Sequence, residues 1–153
     1  MLTHCDFVYA GESAKFRMPF IDLGLAPEFG SSCSLPARIG HIRAAELILL
    51  GLPFDARRAA ELGLVTRVVP DQNLLATAAE VASKLAAKPS GALRVSKRLM
   101  KSAFGDQIKA AMALENKEYS VLTRSNDAKE AFAAFLEKRA PDFNGTRKST
   151  PAA

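Results

Sequence analysis

The sequence predicts an α/β protein in two parts, a mixed α/β portion over residues 1–70 and an all-helical portion over residues 71–143. Strand-like runs and short helices bounded by glycine or proline lie before Pro70, and apolar residues repeat at helical spacing after it. With 153 residues and 48% hydrophobic content, the chain is long enough to bury one core. The polar residues 144–153 are predicted to be a disordered tail.

The first portion is predicted to contain short strands and short helices. Residues 4–10 (HCDFVYA) are rich in β-formers, and residues 15–18 could form a second strand. Residues 24–34 form a loop rich in glycine and serine. The later predicted elements are a helix at 33–39 that Gly40 ends, a helix at 42–50 with Gly51 as C-cap, a helix at 56–62 capped by Asp55, and a strand at 64–69.

This portion offers too few strands for a complete layered domain. A sheet of two or three strands without a partner layer is marginal in water. The sequence therefore predicts that residues upstream of Met1, or another chain, complete the layer.

The second portion is predicted to hold four helices. Apolar residues recur at helical spacing over 74–85, 92–103 and 105–119. Ser125, Asn126 and Asp127 are N-cap candidates for the fourth helix. Its apolar stripe consists of Ala128, Ala131, Phe132, Phe135 and Leu136.

Composition narrows the class of protein. No apolar run approaches the roughly 20 residues that cross a bilayer, and no export signal precedes the first strand. Cys5 and Cys33 lack CxxC spacing, which is typical of a reducing cytoplasm. The net charge of +5 suits either nucleic acid or an anionic small molecule, although the basic residues are dispersed and tryptophan is absent.

Residues 16–36 (FRMPFIDLGLAPEFGSSCSLP) contain the candidate catalytic group. Glu28 lies between Pro27 and a glycine-serine turn, with Phe20, Leu25 and Phe29 as apolar neighbours. A general base works best when its pKa is near ambient pH, and apolar surroundings raise a carboxyl pKa. The open alternatives are that Glu28 is a solvated loop acid, or that Asp22 is the relevant carboxylate.

Two further groups of residues have both a structural and a functional interpretation. The N–H groups of Gly30, Ser31 and Ser32 could bind an anion or an enolate, or merely cap a helix. Basic residues also share one helix face, where they could attract a phosphorylated ligand or simply meet solvent. They are Arg94, Lys97, Arg98 and Lys101.

The same segment resembles the enoyl-CoA hydratase/isomerase (crotonase) superfamily. Further similar stretches follow at 37–70 (ARIGHIRAAELILLGLPFDARRAAELGLVTRVVP), 92–100 (ALRVSKRLM) and 135–143 (FLEKRAPDF), so that the resemblance covers about residues 4–143. It implies the C-terminal part of a crotonase-like ββα spiral over 1–70, followed by a helical trimerisation region. It also implies that the oxyanion-hole N–H groups lie upstream of Met1, and that residues 1–153 alone have little activity.

The resemblance distinguishes two reactions by their carboxylates. Hydratases of the family carry a Pro-Glu pair where this chain has Pro19-Phe20. Isomerases carry an LGxxPE motif, which is present here as Leu23, Gly24, Pro27 and Glu28. The resemblance thus favours Δ3-Δ2-enoyl-CoA isomerisation with Glu28 as the base, within fatty-acid or related acyl-CoA catabolism.

The resemblance also implies substrate, partners and alternatives. The substrate would be an acyl-CoA thioester, with no separate cofactor or metal, no nucleic acid and no membrane. Phe20, Leu25, Phe29, Phe135 and Lys138 would contact it, although Phe135 could equally be a packing residue. The protein would be a cytoplasmic homo-oligomer, a trimer or a dimer of trimers. The alternatives are a 2-enoyl-CoA hydratase or other crotonase reaction, and a non-catalytic remnant that only oligomerises.

Overall fold

A computed structural model describes residues 2–147. Helical turns of the 3₁₀ type lie at Leu2–His4, Ile21–Leu23 and Asp71–Asn73. The first portion contains β1 (Tyr9–Gly11), β2 (Lys15–Phe16), α1 (Ser31–Ile39), α2 (His41–Leu50), β3 (Phe54–Asp55), α3 (Ala56–Glu61) and β4 (Arg67–Val69). The second contains α4 (Leu74–Ala86), α5 (Ser90–Ser102), α6 (Gly105–Leu122), α7 (Asn126–Leu136) and α8 (Phe143–Arg147).

The strands form two separate pairs. β1 runs parallel to β4, with Tyr9 opposite Arg67, and β2 runs antiparallel to β3. The predicted strand at 4–10 is wrong over its first part, because residues 2–4 form a 3₁₀ turn and pairing begins only at Tyr9. The predicted strand at 64–69 also begins late, since the N–H groups of Leu64 and Val65 donate to the Ala59 carbonyl instead of to a strand.

The main core lies between the first three helices and the parallel strand pair. Leu35 of α1 is its largest fully buried side chain. The cluster also includes Ala10, Ile39, Ala44, Leu47, Ile48, Ala56, Ala59, Leu62, Leu64 and Val65. These residues come from all three helices, from β1 and from the loop between α3 and β4, so burial of apolar surface stabilises the first portion.

Two predicted helix caps are confirmed. The Asp55 carboxylate accepts a hydrogen bond from the Arg58 N–H at 2.8 Å, and α3 begins at the next residue. The Ser125 hydroxyl accepts from the Ala128 N–H at 3.1 Å at the start of α7. In each case a short polar side chain satisfies an N–H group that the helix itself leaves without a partner.

The helical portion buries little of its own apolar surface. No side chain of α4 or α5 is buried, and the one buried side chain of α6 among the described residues is Glu115. α7 buries Ala128, Ala131 and Ala134 and packs against the turn Ile21–Leu23. The remainder of its predicted stripe is exposed, namely Phe132, Phe135 and Leu136.

The C-terminal segment is more ordered than the sequence predicted. Glu130 of α7 accepts hydrogen bonds from the Arg139 guanidinium and from the Asp142 N–H, and these contacts lower the pKa of Glu130 to about 2. Asp142 in turn accepts from the N–H groups of Asn144 and Gly145, at 3.1 and 3.2 Å. The predicted tail therefore began too early, because residues 144–147 belong to α8. Its remaining part, 148–153, lies outside the described residues.

Over residues 2–147, no helix is both long enough and apolar enough to cross a bilayer. Cys5 and Cys33 are each half-buried, and neither takes part in a disulfide.

Candidate active site

Glu28 lies at the entrance to a tight turn in front of α1. The two residues after it, Phe29 and Gly30, both have left-handed backbone conformations, with φ of 62° and 69°. Glycine adopts this conformation at no steric cost, but a bulky residue such as phenylalanine does so only when its surroundings impose it. Strain of this kind is typical of functional sites.

Local hydrogen bonds fix the first two residues of the turn. The Glu28 carbonyl accepts from the N–H and the hydroxyl of Ser31, at 3.1 and 2.6 Å. The His4 Nε2 donates to the Phe29 carbonyl at 2.7 Å. The His4 and Phe29 rings also meet edge to face, with their centroids 5.3 Å apart.

A buried carboxylate from a distant helix fixes the rest of the turn. Glu115 of α6 is only 5% exposed. Its Oε2 accepts from the Gly30 N–H at 2.6 Å, and its Oε1 accepts from the Ser32 N–H at 2.9 Å. A carboxylate at a helix N-terminus also interacts favourably with the helix dipole, so Glu115 caps α1 across more than 80 residues of sequence.

Sequence reasoning missed Glu115, although a signal was present. Ile108, Met112, Glu115 and Tyr119 follow helical spacing, which puts an acid on a face that is otherwise apolar. A carboxylate on such a face needs a hydrogen-bonding partner from another element. The sequence does not identify that partner.

Close packing against α6 further stabilises the turn. A Cβ atom built on Gly30 would lie 2.9 Å from Ile108 Cγ2 and 3.3 Å from Met112 Cγ. The turn therefore tolerates no side chain at Gly30, both because of its φ angle and because α6 is so close. Hydrogen bonds and packing from α6, together with the hydrogen bond from His4, stabilise residues 28–32.

The N–H groups of Gly30, Ser31 and Ser32 are all engaged, which decides one question that the sequence left open. Those of Gly30 and Ser32 donate to Glu115, and that of Ser31 donates to the Glu28 carbonyl. They cap and stabilise the turn and have no remaining capacity to bind an enolate or another anion.

The carboxylates of this region differ in their partners. Asp22 is paired with Arg17 at 2.7 Å, and Arg17 also donates to the Gly51 carbonyl. Glu115 is buried and doubly hydrogen-bonded. The Glu28 side chain is exposed and makes no hydrogen bond or ion pair with any residue from 2 to 147. Of these three acids, Glu28 has its carboxylate available to exchange a proton.

The predicted apolar neighbours of Glu28 are only partly assembled. Leu25 is 4% exposed, Phe20 is half-buried, and Phe29 is 53% exposed. Their expected enclosure of Glu28 does not form within residues 2–147, because the face that carries Glu28 and Phe29 is open. Phe20 also shapes the preceding loop, since its carbonyl accepts from the Leu23 and Leu25 N–H groups at 3.1 and 2.8 Å.

Phe135 and Lys138 lie beyond the part of α7 that packs against the Ile21–Leu23 turn. A Cβ atom on Gly24 would come within 2.8 Å of the Ala128 N, which marks the point of closest packing. Phe135 is seven residues further, or about 10 Å along the helix axis. Phe135 is 75% exposed, and Lys138 is exposed with a left-handed φ of 54°. No contact joins either residue to Glu28 in the described part of the chain.

Part of the basic face on α5 is engaged in ion pairs. Lys97 pairs with Asp6 at 2.6 Å, and Lys101 pairs with it at 3.6 Å while donating to the His4 carbonyl at 3.0 Å. The hydrogen bond from Lys97 is the main cause that lowers the pKa of Asp6. These contacts attach α5 to the segment that carries His4.

A cavity of about 440 Å³ lies between α1, α5, α6 and the 3₁₀ turn at residues 2–4, and none of residues 28–32 lines it. Its apolar lining includes Ala37, Met100, Phe104 and Ile108. His4 belongs both to the cavity wall and to the hydrogen-bond network that holds Phe29. Within residues 2–147, no cluster of histidine, cysteine and acidic side chains could bind a metal ion.

Comparison with known proteins identifies the family of this chain. A family model described as enoyl-CoA hydratase/isomerase matches residues 1–147. The chain belongs to that family. A crystal structure of an enoyl-CoA hydratase/isomerase from Pseudoalteromonas atlantica superimposes with a TM-score of 0.89 at 42% identity, covering 93% of this chain and 57% of that one. The fold of this family member is therefore crotonase-like, and its homologues are enzymes.

Curated relatives carry the names of different reactions. A 1,2-epoxyphenylacetyl-CoA isomerase of Escherichia coli is 39% identical over 140 residues, which cover 92% of this chain and 53% of the relative. A 2,3-dehydroadipyl-CoA hydratase of the same organism is 36% identical, covering 92% and 55%. A probable enoyl-CoA hydratase of Mycobacterium tuberculosis is 37% identical, covering 91% and 54%. This family member spans about half the length of these relatives.

Proposed function

We propose that this family member acts in Δ3-Δ2-enoyl-CoA isomerisation and supplies its single base, Glu28. The observation that carries the proposal is the contrast among three carboxylates. Asp22 is ion-paired and Glu115 is buried, whereas Glu28 is accessible and unpaired within residues 2–147. A base must reach its substrate proton with a carboxylate that is not already engaged.

The chemistry needs one base only. Moving the double bond takes a proton from C2 of the acyl thioester and returns a proton at C4. The electron pair of the C2–H bond becomes the new C2=C3 double bond, and the pair of the former C3=C4 double bond forms the new C4–H bond. Glu28 accepts the first proton and donates it back, and it ends the cycle ionised as it began. Coenzyme A is part of the substrate, so the reaction requires no separate cofactor.

The family relationship supports an acyl-CoA substrate. Phe20, Leu25 and Phe29 are proposed to line the acyl group, and Phe135 and Lys138 to contact the pantetheine part. Phe135 and Lys138 lie away from Glu28, which fits a substrate as long as an acyl-CoA. We also propose a cytoplasmic location.

The decisive experiment is a parallel assay of the native gene product, with its length established by intact mass. We expect turnover of a 3-enoyl-CoA to its 2-enoyl isomer, at a rate at least about tenfold above hydration of a 2-enoyl-CoA. Faster hydration would assign the protein to the hydratases, a reaction that the names of several relatives support. No turnover of either substrate would contradict the proposal and favour the non-catalytic alternative.

We further propose that the helical portion forms a homo-oligomer, a trimer or a dimer of trimers. α4 and α5 bury no side chain in the monomer, and large apolar residues on them are exposed, among them Leu75 at 83%, Leu99 at 64% and Met100 at 73%. Extended apolar surface of this kind is characteristic of protein interfaces. Sedimentation equilibrium should give a mass about three times that of the chain, or six times for paired trimers. A monomer mass at micromolar concentration would contradict the proposal.

A further inference from the structure

We propose that Glu115 is a positioning residue that sets the orientation of Glu28 by fixing the turn between them. This inference rests on the proposed function of Glu28 as the base. It assigns a role in the reaction rate to a buried acid that does not itself reach the solvent-exposed side of the turn.

The hydrogen bonds of Glu115 and Ser31 support this role. The Glu115 carboxylate spans the turn, because its two oxygens accept from Gly30 and from Ser32, on either side of Ser31. Ser31 in turn holds the Glu28 carbonyl through both its N–H and its hydroxyl. The Glu115 carboxylate therefore fixes the two residues that flank Ser31, and Ser31 is hydrogen-bonded to the backbone of the proposed base.

The strained backbone explains why such a clamp is needed. Two successive left-handed residues, Phe29 and Gly30, follow Glu28, and the phenylalanine does not favour this conformation intrinsically. Without the carboxylate, the buried N–H group of Gly30 would have no acceptor, and the partly buried N–H group of Ser32 would lose its acceptor as well. The turn would relax to recover hydrogen bonds with water, and the Glu28 side chain would lose its fixed direction.

The substitution Glu115→Gln (E115Q) tests this arrangement with a glutamine of nearly the same side-chain volume. Its amide has one acceptor oxygen, and its NH₂ group would face a second N–H donor, so at most one of the two hydrogen bonds survives. Glu118 lies one turn further along α6 and is exposed. E118Q is therefore a matched control that removes the same charge from the same helix without touching the turn.

The first readout needs no substrate. Amide hydrogen exchange in E115Q should become about tenfold faster or more at Gly30 or Ser32, relative to the unmodified protein, while amides in α2 keep their protection. E118Q should leave both sets unchanged. Unaltered exchange at residues 30–32 in E115Q would overturn the proposed clamp, whatever the reaction of the protein.

The second readout is kinetic. Per folded molecule, E115Q should lower kcat on a 3-enoyl-CoA about 10- to 100-fold and change KM less than about threefold, because the transition state alone demands the exact direction of the base. In an E28Q background, E115Q should have little further effect, since both residues act through the same carboxylate. A merely structural role would instead lower the folded fraction and leave kcat per folded molecule intact.

The outcomes separate this inference from the proposed function. If E28Q reduces activity but E115Q retains the full kcat per folded molecule, the positioning role is wrong and the base assignment stands. If E28Q is as active as the unmodified protein, both are wrong. If the two substitutions multiply in the double variant, Glu115 acts independently of Glu28 and the inference fails.

Discussion

Replacing Glu28 with glutamine is expected to lower kcat for isomerisation of a 3-enoyl-CoA by about 10²- to 10⁴-fold, the range that general acid–base catalysis contributes. Glutamine has nearly the same size and lies in the same exposed position, so the substitution removes the base with little effect on folding. KM should change little, because the carboxylate takes part in proton transfer and not in holding coenzyme A. The measurement is initial rates over a range of substrate concentrations.

Asp22→Asn provides the matched control for this experiment. Asp22 is the other acid in the segment that precedes the turn, and its carboxylate is paired with Arg17 at 2.7 Å. We expect D22N to retain kcat within about threefold, because an exposed ion pair contributes little to stability and the group is not available as a base. Loss of activity in D22N together with full activity in E28Q would transfer the catalytic role to Asp22.

Replacing Gly24 with alanine is expected to destabilise the protein more than the same substitution at a left-handed glycine that has open space around it. Gly24 has φ of +66°, and a Cβ atom there would lie 2.8 Å from the Ala128 N and 2.9 Å from the Asp127 carbonyl carbon. The left-handed conformation costs an L-residue about 1–2 kcal/mol. Overpacking against the rigid backbone of α7 adds about 1–3 kcal/mol. The free energy of unfolding should therefore fall by about 2–5 kcal/mol in urea denaturation followed by circular dichroism.

Gly63→Ala separates the two contributions. Gly63 has a similar φ of +74°, but nothing lies within 4 Å of a Cβ atom built on it. G63A should thus lose only the conformational part, about 1–2 kcal/mol. Equal destabilisation by G24A and G63A would mean that α7 does not pack against the 21–24 turn as closely as described.

The sequence predicted the helices of this protein well where their ends carry local signals. Asp55 and Ser125 cap α3 and α7 as expected, and Gly40 and Gly51 end α1 and α2. Such signals act over three or four residues, so they can be read from the chain alone. The start of α1 was predicted two residues late because Glu115 caps it from another helix.

The strands were predicted less well, because strand formation depends on a distant partner. Residues 4–8 have suitable composition, but β4 pairs only with residues 9–11. The apolar stripe of α7 likewise identified a helix without showing which of its members are buried. Ala128 and Ala131 are buried, whereas Phe135 remains 75% exposed.

By itself, the sequence determined the order of the helices and many of their ends, because periodicity and caps are local properties. Its resemblance to the crotonase superfamily indicated the family, the fold and the candidate base Glu28. Only the tertiary structure decided how that base is held. Glu115 is more than 80 residues from the turn, and its carboxylate finds the N–H groups of Gly30 and Ser32 only once α6 has packed against α1. A hydrogen bond between distant segments leaves no spacing pattern in the chain, since its partners are brought together by packing.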